Sequence, residues 1–356
     1  MRNGILISIS LAAALTGVVT PSDAATFGTV VPIGGHASDI ALDESRGLLY
    51  IANFTANRIE VMSLADGSIR TSMNVAPQPG SISISPDNQF LLVAHFGNLT
   101  APDTTQNALT LINLNDSTRQ TFTTGDTPLA AAFVADGTAL VVTTTTILQF
   151  DPISGALNVL DTFAALATQK LPAKSATFPT QIILAQIETT PDRTAAFGVA
   201  DDGKTQVFFK FDLKKGSIFA TAFVTSPKAL PRLAVSADGS WTMVGQYQMN
   251  ATYHPVLNQF PNSILSVNVG ANAVDSKKGI LYSQIVTLNP QSASQTPGPP
   301  VLYLLDADNL NVRETISLPE FTNCCAIPTS WPCCVAIRSS CRRQPKNCCA
   351  MTRPFR

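Results

Sequence analysis

The chain has 356 residues, is 45% hydrophobic and 13% charged, and carries a formal net charge of −1. That balance excludes a disordered chain, and residues 25–320, with 16 basic against 23 acidic residues, disfavour nucleic acid as a partner, since phosphate neutralisation needs clustered Lys and Arg. Aromatics make up only 7% while Ala, Val, Leu, Ile and Thr recur throughout, which suits many short strands better than a few long helices.

At the start, Met1-Arg2-Asn3 supplies one positive charge, and residues 5–19 form an apolar stretch too short for a comfortable membrane span. Ser22-Asp23-Ala24 places small residues where a signal peptidase reads them, so 1–24 is expected to be a signal peptide. An uncleaved anchor is the competing reading; Thr16, Gly17, Thr20 and Pro21 count against it by interrupting the run. No second hydrophobic span follows, which places the product outside the cytoplasm, secreted or periplasmic, with no membrane span after signal cleavage.

The segment Phe27-Gly28-Thr29-Val30-Val31-Pro32-Ile33 has the character of an outer strand, and a repeat begins after it. A turn at Asp43-Glu44-Ser45-Arg46-Gly47 leads into Leu48-Leu49-Tyr50-Ile51-Ala52-Asn53, and Ser85-Pro86-Asp87-Asn88 leads into Phe90-Leu91-Leu92-Val93-Ala94-His95. The turn-then-strand unit returns at 139–144, 195–200, 241–246 and 280–285. The strand ends are 39 to 56 residues apart, the period of a four-stranded blade rather than of a helical solenoid. An apolar strand precedes each turn, as in 37–41 and 80–84; a third follows, as in 59–64, 109–114, 147–150, 207–211 and 301–305; a more polar fourth closes the unit, as in 70–75 and 312–317. Asp and Gly stand where tight hairpins need backbone capping and positive φ. The expected fold is all-β, a β-propeller of four-stranded blades with six recognisable.

Tyr50-Ile51-Ala52-Asn53 resembles the Tyr-Val-Thr-Asn strand of the YVTN propeller repeat family, and Ser85-Pro86-Asp87 is similar to its Ser-Pro-Asp-Gly turn. The resemblance covers about 27–320 and is specific for fold but poor for function. It implies a ring of seven blades, in which 27–33 would complete the last blade and clasp the ring shut. That seventh, closing blade is lost or replaced by the tail, which implies an unclosed or strained ring.

The tail, 321–356, breaks the pattern. It holds all seven cysteines (Cys324, Cys325, Cys333, Cys334, Cys341, Cys348 and Cys349), six basic residues and no acidic one. A metal or disulfide cluster is one reading, but three Cys-Cys pairs without a histidine fit zinc spacing badly. Reading another frame is the alternative: Cys-Cys pairs then become Leu-Leu or Met-Leu, and Lys346-Asn347-Cys348-Cys349 forces much of a Glu-Glu-Leu-Leu-Arg run. That product resembles the Glu-x-x-Arg helix region of bacterial haem-thiolate monooxygenases, so the tail is expected to be an out-of-frame read, non-native and disordered, with no haem function transferred.

Few residues carry candidate chemistry. The body has three histidines, His36, His95 and His254, too few for multi-histidine copper or haem sites, and C-x-x-C-H is absent, so no cofactor and no metal is expected. His36 opens the first inner strand, near the channel where propellers bind ligands, and is a ligand-binding candidate. His95 ends its strand where Asn53 does, allowing a rim or channel role or a plain strand-end histidine. Asp39, Glu188 and Asp275 are the carboxylates able to serve a channel mouth, with buried or edge carboxylates lacking any duty as the alternative. Asp43, Asp87, Asp136, Asp192 and Asp238 recur at the turn, and recurrence across blades marks a structural job. The long loops at 171–179 and 289–300 are either binding loops or tolerated insertions. Sequons at Asn53, Asn98, Asn115 and Asn250 matter only in a eukaryotic secretory route, to which nothing else points.

With no nucleophile–base motif, no catalytic residue is assigned. The leading expectation is an extracytoplasmic binding module meeting a protein, glycan or small molecule on one face of the ring. The alternative is a lactonase-like or quinoprotein-like propeller enzyme, since related propellers host both.

Overall fold

The computed structural model describes residues 31–96, 107–168, 178–223, 232–259, 266–288 and 301–318. The expected signal peptide, the loop residues 171–177 and 289–300, and the tail lie outside the described residues.

Strands β1 (Ala37–Asp43), β2 (Leu48–Asn53), β3 (Arg58–Ser63) and β4 (Ile69–Asn74) pair antiparallel in chain order and make blade one. Blade two is β5 (Pro79–Ile84), β6 (Phe90–His95), β7 (Ala108–Asn113) and β8 (Arg119–Thr123). Blade three is β9 (Pro128–Phe133), β10 (Ala139–Thr143), β11 (Thr146–Phe150) and β12 (Leu157–Thr162), followed by one short helix, α1 (Phe163–Leu166), capped by the Thr162 hydroxyl. Blade four is β13 (Leu184–Thr189), β14 (Ala195–Asp201), β15 (Gln206–Asp212) and β16 (Ser217–Phe223). Blade five is β17 (Leu233–Val235), β18 (Trp241–Val244), β19 (Tyr247–Asn250) and β20 (Pro255–Asn258). Blade six is β21 (Ser266–Asp275), β22 (Ile280–Leu288), β23 (Val301–Asp306) and β24 (Val312–Ser317).

The first strands touch one another in succession, β1 with β5, then β9, β13, β17 and β21. First strands therefore surround the axis and fourth strands form the rim, which makes the chain a six-bladed β-propeller. Its core is divided among the blade junctions. Tyr50, Ala52, Ile59 and Val61 of blade one pack on Ile82, Ile84, Leu91 and Val93 of blade two, and Leu92, Ala94, Leu109 and Leu111 pack onward against Ala131, Phe133 and Val141 of blade three. Middle strands, buried on both faces, read as continuous apolar runs such as Leu91-Leu92-Val93-Ala94, while the fourth strands β4 and β8 are mostly exposed and polar. Each such buried side chain contributes roughly 1.5–3 kcal/mol.

In blades two, four and five the first turn has a common chemistry. Ser85 donates to Asp87 and accepts the Phe90 amide, Ser236 does the same with Asp238 and Trp241, and Thr190 does so with Asp192 and Ala195. Asp87, Asp192 and Asp238, together with Asp136 of blade three, each cap an amide two residues on: Gln89, Thr194, Ser240 and Thr138. The recurrent aspartates are thus turn builders.

The sequence reading runs the second strand of unit five through Gln246, but β18 stops at Val244. Gly245 holds φ +55°, and with Gln246 it forms a two-residue hairpin into β19 and β20, two strands without a recognisable sequence signal.

Candidate functional site in the central channel

The hairpin register aligns the blades without any outside reference. The first turn opens at Asp43, Ser85, Val134, Thr190, Ser236 and Asp275. Four residues earlier stand Asp39, Ser81, Ala130, Gln186, Arg232 and Ala271; two residues earlier stand Ala41, Ser83, Ala132, Glu188, Ala234 and Ala273.

The earlier position has a structural duty. The Asp39 carboxylate accepts the Ile82 amide of the next blade at 2.8 Å, Ser81 accepts the Ala131 amide at 3.3 Å, and Gln186 accepts the Leu233 amide at 2.9 Å. A neutral acceptor suffices for this stitch in blades two and four, so the charge on Asp39 is surplus to it. Its other oxygen accepts the Ile40 amide at 2.9 Å. Burial outweighs these bonds, the Ser81 hydroxyl and the Arg232 charge, and raises Asp39 to about 6.

Glu188 departs from the repeat more sharply. Ala or Ser occupies its position in five blades, where the first strand packs closely on its neighbours. Its side chain touches channel water, yet protein encloses it enough that desolvation, followed by repulsion from Asp39, raises it to about 7. Water contact moderates that rise, and its direction follows from the enclosing walls and the like charge. No described residue donates a hydrogen bond to the Glu188 carboxylate. Asp39 is raised by its own burial and Glu188 by burial and then the Asp39 charge, so both carboxyls sit nearer neutrality than an ordinary carboxylate. Blade five contributes the opposite charge, Arg232, at the register position of Asp39. Asp39 of β1 thus feels Arg232, which immediately precedes β17, and repels Glu188 of β13, so two carboxyls near the axis form an acidic pair able to accept hydrogen bonds from a ligand or to pass a proton.

The other sequence candidates lie elsewhere. His36 stands before β1 with its amide donating to Thr55 Oγ1 at 3.1 Å and its carbonyl accepting the Phe54 amide; no described hydrogen bond or ion pair joins it to Asp39 or Glu188. His95 is fully buried. Its Nδ1 donates to the Pro77 carbonyl at 3.1 Å, so Nε2 is the unprotonated nitrogen and accepts from Thr110 Oγ1 at 2.8 Å. Burial lowers it to about 4, and it is fixed in the wall as a neutral imidazole. Asp275 takes the register position of Asp43, caps the Lys277 and Lys278 amides at 3.1 Å and pairs with Lys278 at 3.2 Å, placing it among the turn builders at the far end of its strand. No group of three or more His, Cys, Asp or Glu among the described residues is placed to hold a metal ion.

Sequence reasoning missed Arg232 and Gln186. Aligning the units on their turns, rather than on their second strands, is the signal that finds both.

No family model matches the chain, and no curated protein matches it. Among solved structures, a chain of Kuenenia stuttgartiensis hydrazine synthase superposes with a TM-score of 0.46 at 15% identity, covering 80% of this chain and 70% of that one. So loose an overlap carries no argument about activity, and the propeller assignment rests on the strand order and the succession of first strands.

Proposed function

We propose that this chain is an exported ligand-binding propeller whose ligand presents a cationic or hydroxyl-rich group to the channel at Glu188. The observation that carries the reading is an acid without a described donor, standing where five blades hold Ala or Ser and within reach of the Asp39 charge. Arg2, the apolar residues 5–19 and Ser22-Asp23-Ala24 support export. No helix among the described residues is long and apolar enough to cross a membrane. The ligand is read as a protein, glycan or small molecule met on one face of the ring, and the blades as YVTN-type on the letters of 50–53 and 85–87. The tail is read as an out-of-frame segment; sequencing the locus and finding homologous genes with the same Cys-rich end in frame would refute that.

The test is a thermal-shift panel of polyamines, amino sugars and neutral oligosaccharides on the full chain and on Glu188→Gln. Stabilisation of the parent by one class, lost in the variant, supports the reading. Equal shifts in both proteins refute it. A lactonase-like enzyme is the second reading, favoured because both carboxyls titrate near neutral pH, where a general acid or base works. Lactone hydrolysis abolished by Glu188→Gln would establish it.

A further inference from the structure

One blade junction is polar where its equivalents are apolar. Three residues before the first turn stand Ile40, Ile82, Ala131, Ile187 and Leu233 in blades one to five, and Asn272 in blade six. Their pairing partners on the second strands are Ile51, Val93, Val141, Gly198 and Val244, and then Ser283. A third register position is the residue after a fourth strand whose amide donates to the carbonyl just before the third strand: Val75, Thr124, Phe163 and Gln259. Val75 packs with Ile82 and Val93 where blades one and two meet. Phe163 shares a cluster with Ile187 and Phe209 where blades three and four meet, and the Phe209 ring fills the space over Gly198. Thr124 gives its hydroxyl to the Asp126 carbonyl at 2.7 Å. Where blades five and six meet, the same three positions are Gln259, Asn272 and Ser283.

The hydrogen bonds of this polar trio do not close among its own members. Asn272 Nδ2 donates to the carbonyls of Gly245 at 2.8 Å and Arg232 at 3.3 Å, and the Ser283 hydroxyl donates to Asn272 Oδ1 at 2.7 Å. Ser283 Oγ also lies 3.4 Å from Gln259 Oε1, but its one proton is already given to the nearer Asn272 oxygen. Gln259 is 8% exposed, and its Nε2 has no hydrogen-bond partner among the described residues. Exchanging the oxygen and nitrogen of that amide would let one N–H donate to Ser283 Oγ and would leave the other N–H and the oxygen unmet. We propose that this junction binds an ordered water molecule between the Gln259 carboxamide and Ser283 Oγ. The occupant must accept from an N–H and donate to an oxygen at one place, which a water does and a bare cation or anion does not. Ser283 is fully buried, and Leu281 and Leu305 on the same face of blade six pack against Met243 of blade five, so apolar side chains wall the site and favour a single small occupant. Thr242 Oγ1 provides the contrast: it too is buried with no partner among the described residues, but its pairing neighbours Val235 and Met249 belong to an apolar cluster, short of the roughly two to four polar partners a water needs. The site is separate from Glu188, so its failure would leave the channel reading standing.

Magnetic relaxation dispersion of solvent oxygen, recorded on the full chain, measures how many water molecules stay inside the protein long enough to tumble with it. The expected result is an amplitude lower by about one water in Gln259→Leu than in the parent, and unchanged in Thr242→Val. An amplitude indifferent to Gln259→Leu overturns the proposal. So does an equal loss in Thr242→Val, since the polar trio would then not be what holds the water. A crystal structure of the parent tests the same point without any variant having to fold. Density for an oxygen within hydrogen-bond distance of both the Gln259 amide and Ser283 Oγ supports the proposal, and a Gln259 amide bonded directly to protein through both its nitrogen and its oxygen overturns it.

Discussion

Replacing Glu188 by Gln keeps the size and shape of the side chain and removes its charge, so it isolates what that charge does to the ring. In the folded chain Glu188 holds its proton up to about 7, against 4.5 ordinarily, with desolvation the larger cause and Asp39 the second. Between those values the folded state binds more protons than the unfolded one, so the carboxyl makes stability fall as pH rises from about 4.5 through about 7, and costs nothing below 4.5. At about 1.36 kcal/mol per pH unit the full shift is worth about 3 kcal/mol, and the water that touches Glu188 screens this to about 1 kcal/mol. Glu188→Gln is therefore expected to be about 1 kcal/mol more stable than the parent at pH 8 and equal to it at pH 4. Urea unfolding of both proteins across that range, with an unchanged m value, measures the difference directly. A variant equally or less stable at pH 8 would show that the carboxylate is satisfied within the fold, and the channel would lose its unpaired acid.

Three further outcomes follow from the geometry. His95 works in the opposite sense: its value is lowered to about 4, so its contribution is intact above the ordinary 6.5 and is lost as pH falls toward 4, up to about 3 kcal/mol; His95→Gln should flatten the acid limb of a stability–pH curve between those values. Phe133→Ala and Leu42→Ala truncate the same register position in different blades; the first should cost about 3–5 kcal/mol and the second under about 1 kcal/mol by denaturant unfolding, and equal costs would mean that the face of blade one is covered. Gly198→Ala should cost about 1–3 kcal/mol, because a Cβ there would lie 1.9 Å from Phe209 Cζ, a ring packed into the junction of blades three and four; a circular-dichroism melt within a degree of the parent would refute that reading.

The architecture was legible because its signals are local and repeated. Ser85-Pro86-Asp87 and Ser236-Ala237-Asp238 encode a turn by side-chain capping that needs no tertiary help, and Leu48–Asn53, Phe90–His95 and Val312–Ser317 emerge with the bounds the repeat assigns. Blade five was harder. Its strands are short, Tyr247–Asn250 and Pro255–Asn258 offer little apolar run, and Gly245 reverses the chain one turn earlier than a continuous strand pattern suggests. Asp275 seemed a site residue because Ser276-Lys277-Lys278 hides its kinship with Asp43; only the pairing of Asp275 with Ile280 reveals it as a turn position. His95 read either as a rim or channel residue or as a plain strand-end histidine, because a strand end does not show where its side chain points; the bonds to Pro77 and Thr110 hold it in the wall.

A ring of repeats supplies its own control. A residue type repeated at one register is explained by the blade, as the turn aspartates are, and a residue that breaks its register calls for a cause outside the blade. Two positions break it in ways the blade does not need. Glu188 replaces Ala or Ser where small side chains let first strands approach, and Ile40 and Leu42 keep the apolar character of a covered junction without the cover. The first departure adds an unfavourable charge that folding alone would remove, and the second leaves apolar surface in water that a closed junction would bury. Both lower the stability of the free chain, and a donor group in the channel would relieve the first. A cationic ligand that stabilised the parent at pH 8 and left Glu188→Gln unchanged would show that the break at Glu188, and not the exposed face of blade one, is the one the ligand answers.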